Sequence, residues 1–232
     1  MGPLVTYVLA DGVATITMDD GKVNVMSIAM QTELNAALDR ANEDGAVVVI
    51  EGRDGVFSAG FDLPTLRSGS DDGWRMVRGG FELAHRVLGF PLPVVIACTG
   101  HAIAMGTFLL LSGDYRVGAE GPYKLVANEV AIGLTFPRVG IEILRQRLTP
   151  AAFNRAAMLA ETFSPDDAIA AGFLDRVVAP AEVPAAARHA AIQFAALDLG
   201  AHARTKAVAR EGVLAAMQAS IETEYAGPWS RS

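Results

Sequence analysis

The sequence predicts an α/β fold in which buried strands alternate with helices. Two short apolar runs, residues 47–50 and 94–98, are rich in β-branched side chains, which is typical of strands buried on both faces. Segments with helical periodicity lie before and after them, at 27–42, at 80–88 and from about residue 106. This alternation indicates strands covered by helices.

A β-hairpin is predicted at the start of the chain. Residues 5–18 alternate apolar and polar side chains around Asp11 and Gly12, a pair that favours a tight turn between antiparallel strands. Residues 27–42 follow with apolar side chains at helical spacing, and Ser27 is a suitable N-cap. With the strand at 47–50, the first unit is strand, strand, helix, strand.

The middle of the chain contains one stretch that could be a membrane span. Residues 92–112 carry no charge if His101 is neutral, and they are about long enough to cross a bilayer. However, Gly100 and Gly106 interrupt the stretch, and Asp114 and Arg116 follow it closely. We therefore predict a buried strand, a turn and a buried helix, then a strand at 115–117, and no membrane span.

The last third of the chain is predicted to be helical. Thr149 and Ser164 each precede a proline, which is a helix start signal, and Gly172 ends the second of these helices. A joint at 180–184 leads to amphipathic helices at 185–197 and 203–225. We expect a core over residues 1–195 and a helical tail over 196–232.

Composition excludes several classes of protein. Hydrophobic residues make up 51% and charged residues 19% of the 232, which is a globular balance. The net charge of -7 and the scattered cations argue against nucleic-acid binding. Cys98 is the single cysteine and lies in an apolar run, and the first residues have no basic flank typical of a secretory signal. We expect a cytoplasmic protein.

No metal site, nucleophile elbow or P-loop is expected. The four histidines, His85, His101, His189 and His202, are not closely spaced with Cys, Asp or Glu as zinc ligands would be. Neither a G-x-S-x-G nor a Walker-type sequence occurs.

Two turns rich in small residues are candidates for a ligand site. Residues 55–63 include Ala59 and Gly60 after a strand, and residues 100–107 lead into a buried helix. Each alone is explained as well by a tight turn or by close helix packing. Together they could place one backbone N–H from each turn on a single carbonyl oxygen, as an oxyanion hole requires.

A third segment, residues 127–133, places Glu129 in an apolar neighbourhood. A carboxylate in such a place is costly unless it is paired or used in catalysis. The alternative, a surface glutamate that begins a short turn, remains open on the residues alone.

Three segments taken in order, GVFSAGFDL (55–63), GHAIAMGTFLLLSGDYRV (100–117) and NEVAIGL (128–134), resemble the crotonase (enoyl-CoA hydratase/isomerase) superfamily. The resemblance runs from the first hairpin to about Val178. It implies a spiral of strand–strand–helix turns with C-terminal helices that trimerise. It also implies a fatty acyl-CoA thioester as the ligand, no separate cofactor, and a homotrimer or a dimer of trimers.

The resemblance also implies roles for individual residues. The two oxyanion-hole N–H groups would belong to Phe61 and Met105, although Ala104 and Met105 stand where the family usually has glycine. The further residues expected to bind substrate are Ala59, Gly60, Asp62, Leu63 and Asn128, and those expected to contact coenzyme A are Lys22, Val23, Val25 and Arg67.

The family's two catalytic carboxylates separate its reactions. The first position is Phe108 here, and the second is Glu129. One carboxylate beside an oxyanion hole suits an allylic proton shift. Asn128 and Glu129, together with residues 57–63, resemble in particular the mitochondrial-type Δ3,Δ2-enoyl-CoA isomerase branch. Two rival hypotheses are a hydratase that uses Glu129 with a carboxylate from elsewhere, such as Asp62, and a catalytically silent acyl-CoA-binding protein.

Overall fold

The computed structural model describes residues 2–227 and contains two sheets. The strands are β1 (Val5–Ala10), β2 (Val13–Met18), β3 (Val47–Glu51), β4 (Gly55–Ser58), β5 (Val94–Cys98), β6 (Gly100–Ile103), β7 (Tyr115–Ala119), β8 (Leu125–Val126) and β9 (Arg176–Val178). The larger sheet has the strand order β1-β2-β3-β5-β7-β9, and the smaller has the order β4-β6-β8. β1 and β2 are antiparallel and every other pair in these two sheets is parallel.

Helices cover the sheets and form the C-terminal third of the chain. Two short 3-10 helices, Val130–Ile132 and Pro180–Glu182, lie between longer elements. The α-helices are α1 (Ile28–Glu43), α2 (Leu63–Arg67), α3 (Asp71–Gly89), α4 (Met105–Ser112), α5 (Arg138–Arg147), α6 (Pro150–Leu159), α7 (Pro165–Ala171), α8 (Val183–Ala195) and α9 (Leu199–Glu224).

Several predicted turns and helix starts are confirmed, and contacts between neighbouring residues explain them. The hairpin turns at Asp11 and Gly12, both at positive φ. The Ser27 hydroxyl accepts a hydrogen bond from the Met30 N–H at 3.2 Å and so caps α1. Thr149 and Ser164 cap α6 and α7 in the same way. The α/β class and its parallel sheet are therefore as the sequence predicts.

Other elements differ from the sequence prediction. The turn that the sequence predicts from residue 100 is the strand β6, and the strand β4 lies in a segment whose small residues favour a turn. Helix α3 begins at Asp71, nine residues before the predicted start at 80, while α5 and β9 were not predicted. Strands of two to four residues are too short for an alternating pattern, and Gly55 and Gly100 have low strand propensity.

The central strands of the larger sheet, β3 and β5, are buried on both faces, which explains their almost entirely apolar sequences. Val49 and Val95 point to one face and pack under Ala187 and Ala191 of α8. The opposite face, which includes Ile50, contributes to the main core with α1, α3 and α4. This covering by helices is the arrangement typical of parallel sheets.

The predicted tail corresponds to α9, which packs against α3 and α5 of the same chain. Asp114 links it to the sheet, because its carboxylate contacts Lys206 Nζ at 2.7 Å and Arg210 Nη2 at 2.9 Å. The same carboxylate accepts the Val94 N–H at 2.7 Å. The trimer stays a prediction, and residues 228–232 of the predicted tail lie outside the described residues.

Among residues 2–227, no helix has both the length and the apolar character that crossing a membrane requires. The stretch 92–112 is instead divided between β5, β6 and α4, as the glycine interruptions indicate.

Asp114→Asn should destabilise the protein strongly, because it leaves Lys206 and Arg210 without their counter-charge in a buried setting. Removing one partner of a buried ion pair typically costs about 3–5 kcal/mol. Urea unfolding followed by circular dichroism measures the difference. The matched control is Asp11→Asn, whose ion pair with Arg188 has an aspartate side chain that is 76% exposed. A loss no larger than the control's would contradict this account of how α9 is held.

Candidate active site

Two loops meet where β4 and β6 end. These strands are parallel neighbours, so their carboxyl ends lie at the same edge of the small sheet. Gly60 follows β4 with a φ of 86°, and a Cβ atom there would lie 2.8 Å from the Ile103 carbonyl oxygen and 3.2 Å from the Met105 nitrogen. Only glycine allows this approach, so the two predicted loops lie in contact.

The loops present two free backbone N–H groups. Between residues 2 and 227, neither the Phe61 N–H nor the Met105 N–H donates a hydrogen bond to the protein. Met105 is the first residue of α4, whose dipole places partial positive charge there. The structure thus brings the two predicted oxyanion-hole residues together.

Ala104 sets the direction of the Met105 peptide. It has a φ of 49° and a ψ of -118°, a conformation that costs a residue with a side chain about 1–3 kcal/mol. Its N–H donates to the Val126 carbonyl at 2.8 Å, and its carbonyl accepts from the Thr107 N–H at 2.8 Å. Strand β8 and α4 together hold the strained turn.

The segment predicted to contact coenzyme A lies directly beside the Gly60 loop. The Ala59 N–H donates to the Val23 carbonyl at 3.0 Å, and the Met26 N–H donates to the Gly60 carbonyl at 2.8 Å. Val25 forms an isolated parallel bridge with Gly60. Val23 and Val25 are therefore next to the predicted substrate residues Ala59 and Gly60.

Asp20 holds the backbone of residues 22–25, the segment predicted to contact coenzyme A. Its carboxylate accepts the backbone N–H groups of Lys22, Asn24 and Val25 at 2.7–3.0 Å. Burial acts to raise the pKa of Asp20, but these donors outweigh it and hold the pKa below its usual range. The Arg53 guanidinium donates to the Lys22 carbonyl at 2.7 Å. Sequence reasoning did not find Asp20 or Arg53.

Lys22 and Arg67 are both exposed. Arg67 is the last residue of α2, which follows the Phe61 loop. Neither cation forms an ion pair within the described part of the chain. Lys22 and Arg67 are thus two cations available to an anionic ligand, on segments that adjoin the loop of Gly60 and Phe61.

Asp62 has a structural use. Its carboxylate accepts from the Thr65 N–H at 3.0 Å and from the Thr65 hydroxyl at 2.6 Å, and so caps α2. Leu63, its neighbour, is 46% exposed beside the loop.

Glu129 is buried, which resolves the alternative that the sequence left open. It is 9% exposed and begins the 3-10 helix Val130–Ile132. Its Oε2 atom has no hydrogen-bond partner in residues 2–227, and neither has the buried Oδ1 atom of Asn128. Burial raises the pKa of Glu129 to about 7. A carboxyl group with this pKa can accept and return a proton near neutral pH.

An aromatic cluster, defined here as Phe61, Phe81, Phe108, Phe136 and Tyr225, packs around the site. The ring centroids of Phe61 and Phe81 are 6.2 Å apart, and those of Phe81 and Phe108 are 5.5 Å apart. Phe136 meets Phe108 at 5.9 Å, and Tyr225 meets Phe81 at 5.9 Å. Periodicity identifies some of these residues as buried but cannot show that they meet.

The chain is similar to known proteins in both sequence and fold. The family model for enoyl-CoA hydratase/isomerase matches residues 9–225. Human mitochondrial enoyl-CoA delta isomerase 1 is 32% identical over 208 residues, which are 86% of this chain and 68% of the human protein. An enoyl-CoA isomerase structure from Mycobacterium tuberculosis has 49% identity and a TM-score of 0.93, with 97% of this chain and 99% of that chain covered. An enoyl-CoA hydratase structure from Mycobacterium marinum has 50% identity and a TM-score of 0.93, with 98% of this chain and 100% of that chain covered.

Glu129→Gln should stabilise the protein at high pH. The folded-state pKa of about 7 exceeds the ordinary value of 4.5, so the native state of the parent loses stability as pH rises from 4.5 through 7. The shift corresponds to roughly 3 kcal/mol. Thermal and urea unfolding give the free energy of unfolding of both proteins at pH 4.5 and at pH 8. Relative to the parent, the variant should be more stable at pH 8 than at pH 4.5 by about this amount. Glu120→Gln, at an exposed position, is the control, and a pH-independent difference for Glu129→Gln would refute the account.

Proposed function

Because this chain belongs to the enoyl-CoA hydratase/isomerase family, we propose that it is an enoyl-CoA isomerase, which converts 3-enoyl-CoA to 2-enoyl-CoA. The observation that carries the proposal is Glu129, a buried carboxyl group with an unpartnered oxygen, in a chain whose paired loops present free N–H groups.

The two N–H groups would hold the thioester carbonyl oxygen. When a proton leaves C2, negative charge moves onto this oxygen, and the Phe61 and Met105 N–H groups stabilise the resulting enolate. The position of Met105 at the start of α4 adds the helix dipole to the hydrogen bond. Both donors are backbone groups, so the methionine and phenylalanine side chains do not prevent this role.

Glu129 would transfer the proton. Its carboxylate removes the C2 proton of the 3-enoyl thioester and returns that proton at C4 as the double bond moves. The same oxygen atoms serve both steps, so one carboxyl group is sufficient. Burial of Glu129 excludes water, which favours the proton shift over hydration.

Two side chains favour isomerisation over hydration. Phe108, at the position of the family's first carboxylate, is 1% exposed and packs between Phe81 and Phe136, so it can neither hold nor activate a water. Asp62, the other candidate for a second carboxylate, is used as the cap of α2.

The proposed substrate is a fatty acyl-CoA thioester, with Lys22 and Arg67 as the candidate partners of its phosphates. The isomerisation neither gains nor loses electrons, so the proposal requires no redox cofactor or metal, and coenzyme A is part of the substrate. A cytoplasmic homotrimer or dimer of trimers is proposed from the same family resemblance.

Product identification tests the function. The protein should convert 3-enoyl-CoA to 2-enoyl-CoA and should form little or no 3-hydroxyacyl-CoA from 2-enoyl-CoA, because the buried Phe108 occupies the position of the family's first carboxylate. Chromatography with mass spectrometry separates these products. Rapid hydration of 2-enoyl-CoA would favour the hydratase hypothesis, and binding without any product would favour the silent protein.

Glu129→Gln should lower kcat by about 10²–10⁴-fold, toward the upper end because one group performs both proton transfers. The amide keeps the shape of the side chain, so acyl-CoA binding measured by calorimetry should persist. Glu120→Gln is the matched control and should leave turnover unchanged. Isomerisation of 3-enoyl-CoA by Glu129→Gln at the parental rate would make Glu129 a structural residue.

A further inference from the structure

The residue that follows α9 brings a tyrosine into the aromatic cluster. Tyr225 is 6% exposed, and its ring is stacked on Phe81 with an interplanar angle of 30°. Neither the first candidate motifs nor the family resemblance pointed to this residue. It belongs to the segment that the sequence suggests is only an oligomerisation tail.

Two contacts fix this end of α9 on the core. The Arg78 guanidinium of α3 donates to the Tyr225 carbonyl at 2.9 Å. The Glu224 carboxylate accepts the Arg138 N–H at 3.1 Å, and so binds the start of α5. These contacts with α3 and α5 fix the position of Tyr225 on the core.

The cluster connects the oxyanion-hole loop with the end of α9. Phe61 follows the Gly60 turn and meets Phe81 edge to face, and Phe81 in turn meets Tyr225. Burial, and after it the charges of Glu224 and Glu129, raise the pKa of the Tyr225 phenol. An acyl chain with its carbonyl at the hole and C2 to C4 beside Glu129 would continue toward these rings.

We propose that Tyr225 ends the acyl pocket of its own chain and restricts the substrate to short acyl groups. Phe81, Phe108 and Tyr225 are nearly inaccessible and pack in contact, so their rings occupy the space beyond C4. Only a short chain fits before it reaches the phenol ring. This inference rests on the proposed acyl-CoA substrate but not on the isomerase reaction.

Binding of saturated thioesters tests the proposal without any turnover. Calorimetry gives the dissociation constants of hexanoyl-CoA and dodecanoyl-CoA for the parent, Tyr225→Ala and Tyr225→Phe. The parent should prefer hexanoyl-CoA. Tyr225→Ala should shift the ratio of the two constants toward dodecanoyl-CoA by about tenfold to a hundredfold, the range that pocket size commonly gives. Tyr225→Phe keeps the ring and should retain the parental ratio.

Three results would overturn the inference: a parent that prefers dodecanoyl-CoA, a folded Tyr225→Ala with the parental ratio, or a parent that binds neither thioester. If Tyr225→Ala does not fold, Phe81→Leu opens the same end of the pocket from α3. It should give a shift in the same direction, and an unchanged ratio would count against the proposal. If the protein prefers hexanoyl-CoA but does not isomerise 3-enoyl-CoA, the proposed reaction is refuted and the proposal for Tyr225 stands.

Discussion

The site depends on one close approach, between the peptide at Gly60 and the peptide between Ala104 and Met105. The parallel pairing of β4 with β6 sets it, because the two strands end at the same edge of the small sheet. A side chain at Gly60 would collide with the Ile103 carbonyl and separate the two loops. Both unused N–H groups, and the contact of the 20–25 segment with Gly60, follow from this approach.

The groups with proposed catalytic roles are held at a cost in stability. Ala104 adopts a positive φ, and Glu129 is buried without a partner for one of its oxygens. The surrounding packing compensates for both, through the hydrogen bonds of Ala104 to β8 and α4 and through the aromatic cluster. Strained and desolvated groups tend to concentrate at functional sites, and here they lie on the segments that carry the family resemblance.

Much of the fold could be predicted from local chemistry. The hairpin turn, the caps at Ser27, Thr149 and Ser164, and the strand Val94–Cys98 were predicted because each depends on neighbouring residues. The small sheet was not predicted, since its strands have two to four residues and are formed by pairing with partners distant in the sequence. The path of α9 was also unpredicted, because its attachment at Asp114 and at the start of α5 joins residues far apart in sequence.

For the site, the sequence by itself determined which groups are present: the small residues before Phe61 and Met105, Phe108 where the family has a carboxylate, and Glu129 in an apolar segment. Only the tertiary structure decided the surroundings of the site residues. It buried Glu129, used Asp62 as a helix cap, and placed Tyr225 against Phe81. The physical reason is that desolvation and ring packing depend on which distant surfaces meet, whereas residue identity and local spacing are properties of the chain alone.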